Sequence, residues 1–286
     1  MLPVVLGLSA AVSIGVANIA AGLASRRLTP LLAGFWAQAT GATICTVLLL
    51  LLRPPLLPAQ LPWGMIAGLA GGSGMVLFYR AMATGAISLV SPITACAVVF
   101  PVLYALASGE SPTPLAAAGI VAIIGGIALV SVRPAPVLGD PTDTGFAADR
   151  GAIPLAVAAA VAFGAFFILI DLAPSARGWG TLWTAAAVRY SGFAVQLALV
   201  LTSRRRVAGP GRYTPAVLVA GSLDLFSLIL ISFGATTDAY GIVTALVGLY
   251  PVVAALIGVV ALGERLTRIQ ASGATLAMAG VLLVSV

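Results

Sequence analysis

The chain has 286 residues, 61% of them hydrophobic, with 32 glycines besides, and only 8% of the residues are charged. A soluble domain carries about 45–50% apolar and about 25% charged residues, so this composition cannot build a water-facing surface and places the chain in a membrane. All 14 cations are arginine and neither lysine nor histidine occurs, which removes Walker-type ATP hydrolysis, a retinal Schiff base, HExxH zinc sites and serine–histidine catalysis.

A bilayer-spanning helix needs about 20 apolar residues, and apolar residues plus glycine fill roughly 206 positions, enough for about ten spans. An all-α, polytopic fold of ten transmembrane helices is therefore expected. The apolar runs place the first five at 4–23, 31–52, 63–83, 87–107 and 115–132. The run at 4–23 has no basic region ahead of it and no cleavage zone behind, so it is expected as a retained span and not a signal peptide. A polar stretch at 133–151 follows, with Asp140, Asp143 and Asp149 among prolines, and is expected as a linker. Five more runs lie at 153–172, 181–202, 215–234, 240–262 and 269–286. Proline, glycine and arginine interrupt them, as in Arg53-Pro54-Pro55 and Gly209-Pro210-Gly211. Uninterrupted runs of about 20 residues without alternation exclude a β-barrel. Cys45 and Cys96 fall in apolar runs and are expected as small buried hydrophobes.

The halves on either side of the linker repeat one another. An offset of 154 pairs Gly109-Glu110 with Gly263-Glu264, Thr113 with Thr267, Gly119 with Gly273, Gly126 with Gly280, and residues 129–132 with 283–286. Residues 1–132 thus form a first repeat and 152–286 a second. Five spans is an odd number, so the second copy enters the membrane inverted, and inverted repeats mark secondary transporters with a midplane site between the halves. Gly119 and Gly126, like Gly273 and Gly280, are seven apart on one helix face, which predicts close packing of spans five and ten.

Eleven arginines fall in the loops after odd-numbered spans, from Arg26 and Arg27 to Arg265 and Arg268, against Arg53 and Arg177 on the other side. The positive-inside rule then puts both termini outside the cytoplasm, in a bacterial-type inner membrane. The same placement ties the basic pI to lipid phosphates and topology and not to nucleic acid.

Gly109-Glu110 followed by Thr113, and Leu262-Gly263-Glu264-Arg265-Leu266-Thr267 followed by Gln270, Gly273 and Gly280, resemble the paired signature of EamA-type transporters in the drug/metabolite transporter superfamily. Ser91-Pro92 and Leu249-Tyr250-Pro251 ahead of the two signatures also fit. The resemblance spans nearly the full chain. It implies ten helices in a five-plus-five bundle around a central cavity and export or uptake of small metabolites, commonly amino acids, driven by an ion or substrate gradient; no cofactor and no catalysis are expected. The sequence is read here as an exporter, the alternative being a lipid-type translocase or a channel in the same bundle. Membrane lipids and a small-molecule substrate are the partners; the oligomeric state is open.

An ionisable residue inside a span costs about 2.5–3.5 kcal/mol and faces a cavity or a partner. Arg189 in span seven and Asp224 in span eight qualify. At 1.5 Å per residue they lie about 12 and about 13.5 Å from opposite faces of a core about 30 Å thick, near enough in depth to pair. They stand either as a permanent ion pair or as groups that meet a substrate's charges or a proton. Without histidine no side chain has an unperturbed pKa near neutrality, so proton coupling would fall to a carboxylate, and Asp224 is the one near the middle of a span. Pro92 and Pro101 in span four and Pro251 in span nine interrupt equivalent helices, a pointer to the transport site. Gln38, Trp36, Tyr79 and Tyr250 complete the substrate candidates, with Phe100, Tyr104, Tyr190 and Phe226 as further aromatic lining. Glu110, Glu264 and Arg80 are gating candidates at helix junctions, where Thr113 and Thr267 are natural N-caps.

Overall fold

The structure, a computed structural model, describes all residues except 26–27, 85–92, 95, 110, 132–148, 175–177, 204–206, 208, 251, 255, 258–266 and 286. Among the described residues there are ten α-helices of eight residues or more and no strand. They are α1 (Leu2–Ser25), α2 (Pro30–Leu52), α3 (Gln60–Thr84), α4 (Val99–Ala107), α5 (Pro114–Ser131), α6 (Asp149–Asp171), α7 (Leu182–Thr202), α8 (Thr214–Gly234), α9 (Tyr240–Val247) and α10 (Arg268–Ser285). A helix satisfies its own backbone, which an apolar chain in lipid requires. Among the described residues, six segments are long and apolar enough to cross a membrane: Leu2–Ser25, Leu31–Leu52, Gln60–Phe78, Gly151–Asp171, Gly178–Thr202 and Gly211–Gly234.

Local chemistry sets the ends. Thr29 caps α2 by accepting from the Leu32 amide, and Arg53 in the left-handed conformation closes it ahead of two prolines. Thr113 Oγ1 accepts from the Ala116 amide at 3.1 Å at the start of α5. Thr267 and Gln270 form a reciprocal capping box on α10: Thr267 Oγ1 accepts from the Gln270 amide, and Gln270 Oε1 accepts from the Thr267 amide. Gly109 follows α4 with φ at +101°, a backbone that costs a side-chain-bearing residue energy and glycine almost none.

Three expectations shift. The run at 87–107 is not one described helix: Cys96–Val98 form a 3-10 turn and α4 begins at Val99, so Pro101 sits in the first turn, where a missing N–H breaks nothing. Cys96 is exposed, while Cys45 is buried. Asp149, placed in the linker, starts α6.

Packing is inverted relative to a soluble protein. The fully buried positions are mostly small, among them Ala10, Ala11, Ala67, Ala81, Ala156 and Ala277, while Leu50, Leu51, Val121 and Leu282 stand out from the bundle. Lipid chains are as apolar as leucine, so nothing drives large side chains inward; close backbone approach is what holds helices together. At α5–α10 a Cβ on Gly126 would lie 2.6 Å from the Gly273 carbonyl oxygen, and one on Gly280 would lie 2.6 Å from that of Gly119. These four glycines let the two helices touch backbone to backbone, as the spacing predicts.

The most extensive helix contacts follow one rule. α2 packs on α7, α4 on α9 and α5 on α10; α1 packs on α8 as α6 does on α3; α2 meets α8 as α7 meets α3; and α1 meets α9 as α6 meets α4. Exchanging each helix with the one five later reproduces the set.

Candidate functional site

Arg189 projects from α7, about 10.5 Å along the helix from its start at Leu182. It is 3% exposed. Its Nη1 donates to Asp224 Oδ2 on α8 at 2.7 Å and to Gln38 Oε1 on α2 at 2.5 Å. One terminal nitrogen with two N–H groups therefore joins three helices.

The charge is held by close backbone packing on one side. A Cβ on Gly41 of α2 would lie 3.2 Å from Arg189 Nε and equally near the Gly221 carbonyl oxygen, and one on Gly221 would lie 2.3 Å from the Ala37 carbonyl oxygen. Glycine at both positions lets α2 and α8 close around the guanidinium. Arg189 Nε is buried there without a hydrogen-bond partner. The pair is uneven: the Asp224 side chain is 44% exposed, so the cation is locked inside while the anion opens to its surroundings.

Aromatic side chains flank the junction. Phe35 stacks on Phe193 with centroids 5.5 Å apart and meets Trp36 edge-on at 5.3 Å. Trp36 is half-buried and packs into the cluster of Leu28, Leu32, Val200 and Val217. Tyr190, next to Arg189, shares a hydrogen bond of 2.7 Å with Thr46 on α2. Phe226 is exposed.

The other candidates lie apart. Phe100 covers Gly164 of α6, where an added Cβ would lie 2.7 Å from its own. Tyr104 is on α4, and Tyr79 and exposed Arg80 lie near the end of α3. Tyr250 presents its carbonyl to Gly15 of α1. Pro92, Glu110, Pro251 and Glu264 lie outside the described residues.

Sequence reasoning passed over three buried polar residues. Gln196 lies seven residues beyond Arg189 on α7, buried against Gly34, with its Oε1 unpartnered. Gln60 is fully buried, donating to the Gly180 carbonyl and accepting from Thr184 Oγ1. Tyr240 donates its hydroxyl to the Phe167 carbonyl at 3.2 Å. The signal was there: the chain has only four glutamines, and an amide inside or beside an apolar run needs a reason.

The profile described as "EamA-like transporter family" matches residues 1–132 and again 150–286. A solved structure described only as "Crystal structure of protein" aligns with 99% of this chain and 96% of its own, with a TM-score of 0.76 and 16% identity, a likeness of fold. Among curated proteins no sequence matches this chain.

Proposed function

Because the chain belongs to the EamA-like transporter family, a family of multi-pass membrane proteins that carry small molecules, we propose that it is a secondary active transporter of the bacterial-type inner membrane that exports small metabolites such as amino acids. Ten spans form two inverted repeats, 1–132 and 152–286, joined by the linker at 133–151. The exchange rule in the helix contacts supports this reading, since a pseudo-twofold relation produces self-paired and swapped contacts of this kind. Alternating access then moves one repeat against the other around a site between them.

The observation that carries the site is the buried Arg189 bridging half-open Asp224 and Gln38. Arg189 ties α7 to α8 through its ion pair with Asp224. Protonation of Asp224, or a substrate group that takes its place on Nη1, releases α8 and leaves the guanidinium with Gln38 as its remaining side-chain partner.

Reconstituted vesicles test this with a panel of amino acids. Asp224→Asn should abolish accumulation against a gradient and leave substrate exchange measurable, whereas Arg189→Gln should impair both. Normal accumulation by Asp224→Asn would remove the carboxylate from the coupling step.

A further inference from the structure

A cavity of about 320 Å³ lies away from the Arg189 junction. Its walls come from α4, α5 and the turn before it, and α9 and the turn before it, and none from α2, α7 or α8. Val102, Ala105, Leu106, Ala116, Ile120 and Ile242 make the interior apolar. Val102 and Ile120 also belong to the tightly packed core with Ile123, Ile127 and Leu246, so the cavity ends blind against that core. It is roughly twice the cavity of about 150 Å³ that accepts benzene, which leaves space for about a dozen heavy atoms.

The rim is polar and carries one sign of charge. Ser111, Thr113 and Asp238 line it. Asp238 is exposed in the turn ahead of α9, and no ion pair to it is found among the described residues. The start of α5 offers an anion little: Pro114 has no N–H, and the Ala116 amide is already taken by Thr113 Oγ1. A carboxylate with two hydroxyl oxygens instead matches a group with three donors and no acceptor, which is an ammonium.

We propose that this cavity binds a small organic ammonium, with its charged end on Asp238 and its apolar body between α4, α5 and α9. The ligand bridges α4 and α5 of the first half to α9 of the second. The site is separate from the Arg189–Asp224 junction and stands or falls independently of it.

The full-length protein in detergent micelles, titrated with 2-phenylethylammonium and followed by calorimetry and saturation-transfer NMR, tests this. The neutral 2-phenylethanol and the anionic 3-phenylpropionate serve as comparisons. Saturable binding of the ammonium, with both comparisons weaker by about tenfold or more, is expected. Asp238→Asn, in an exposed turn, should weaken the ammonium by about tenfold and leave the alcohol unaltered. Ala105→Phe, which fills the cavity, should remove binding, with its helical circular dichroism showing that it folds. Equal binding of all three probes, or an Asp238→Asn protein with unaltered ammonium affinity, would make the cavity an unselective apolar or lipid pocket and overturn the proposal, as would no binding at all. Transport by the same preparation in vesicles reads the Arg189 site separately.

Discussion

At residue scale, a guanidinium 3% exposed between apolar helices persists only because its charge is answered. Desolvation of an ion costs several kcal/mol even after relaxation, and the attraction of a partner offsets it only with good geometry. Here the partners are unequal. Removing the charge of Asp224 strands a buried cation on Gln38 alone, whereas removing Arg189 leaves a carboxylate that is already half-exposed. Asp224→Asn should therefore destabilise the fold more than Arg189→Gln, with about 3–5 kcal/mol as the scale for breaking a buried pair. The double variant should recover part of the loss, because the stranded charge is gone. Thermal unfolding of the four proteins in one detergent checks this; equal losses that simply add would mean the two groups are not coupled.

At the scale of elements, the helices are apolar on every side, and their contacts are chosen by where the backbone can come close. α3 and α7 illustrate the difference between glycines. A Cβ on Gly68 would lie 2.0 Å from Ser191 Oγ and 2.3 Å from the Val188 carbonyl oxygen, while one on Gly192 would find only the Gly68 carbonyl at 3.5 Å. Gly68→Ala should thus push the helices apart and cost about 1–3 kcal/mol. Gly192→Ala should be neutral or slightly stabilising, since alanine is the better helix former. Comparison of the two melting temperatures decides, and a tolerated Gly68→Ala would show that α3 is not held this closely. The α5–α10 seam obeys the same logic, and its sevenfold glycine spacing was legible because two turns of helix return to nearly the same face. The packing of Phe100 on Gly164 was not, because no local pattern says which glycine an aromatic ring will cover.

At the scale of the whole molecule, the exchange of each helix with the one five later fits an inverted repeat, and inversion makes topology a matter of parity. The arginines sit overwhelmingly in loops of one parity, which predicts that both ends of the chain lie away from the cytoplasm. A reporter active only in the cytoplasm, fused after Val286, should stay silent while a periplasm-active one gives signal. The reverse result would put the arginine-rich loops outside and overturn the parity argument.

What the sequence by itself determined is what composition and local spacing dictate. With 8% charge the chain has to live in lipid, lipid leaves it only helices, and the 154-residue offset exposes the repeat. Arg189 and Asp224 were legible as a pair because a rise of 1.5 Å per residue converts position into depth. Depth says nothing about azimuth, however, so the rotation of α2 that brings Gln38 onto the same nitrogen, the burial of Gln196 and the unequal exposure of the pair were decided only by tertiary packing. The blind cavity at α4, α5 and α9 belongs to the same class: it is a shape between elements distant in sequence, and no single segment encodes it.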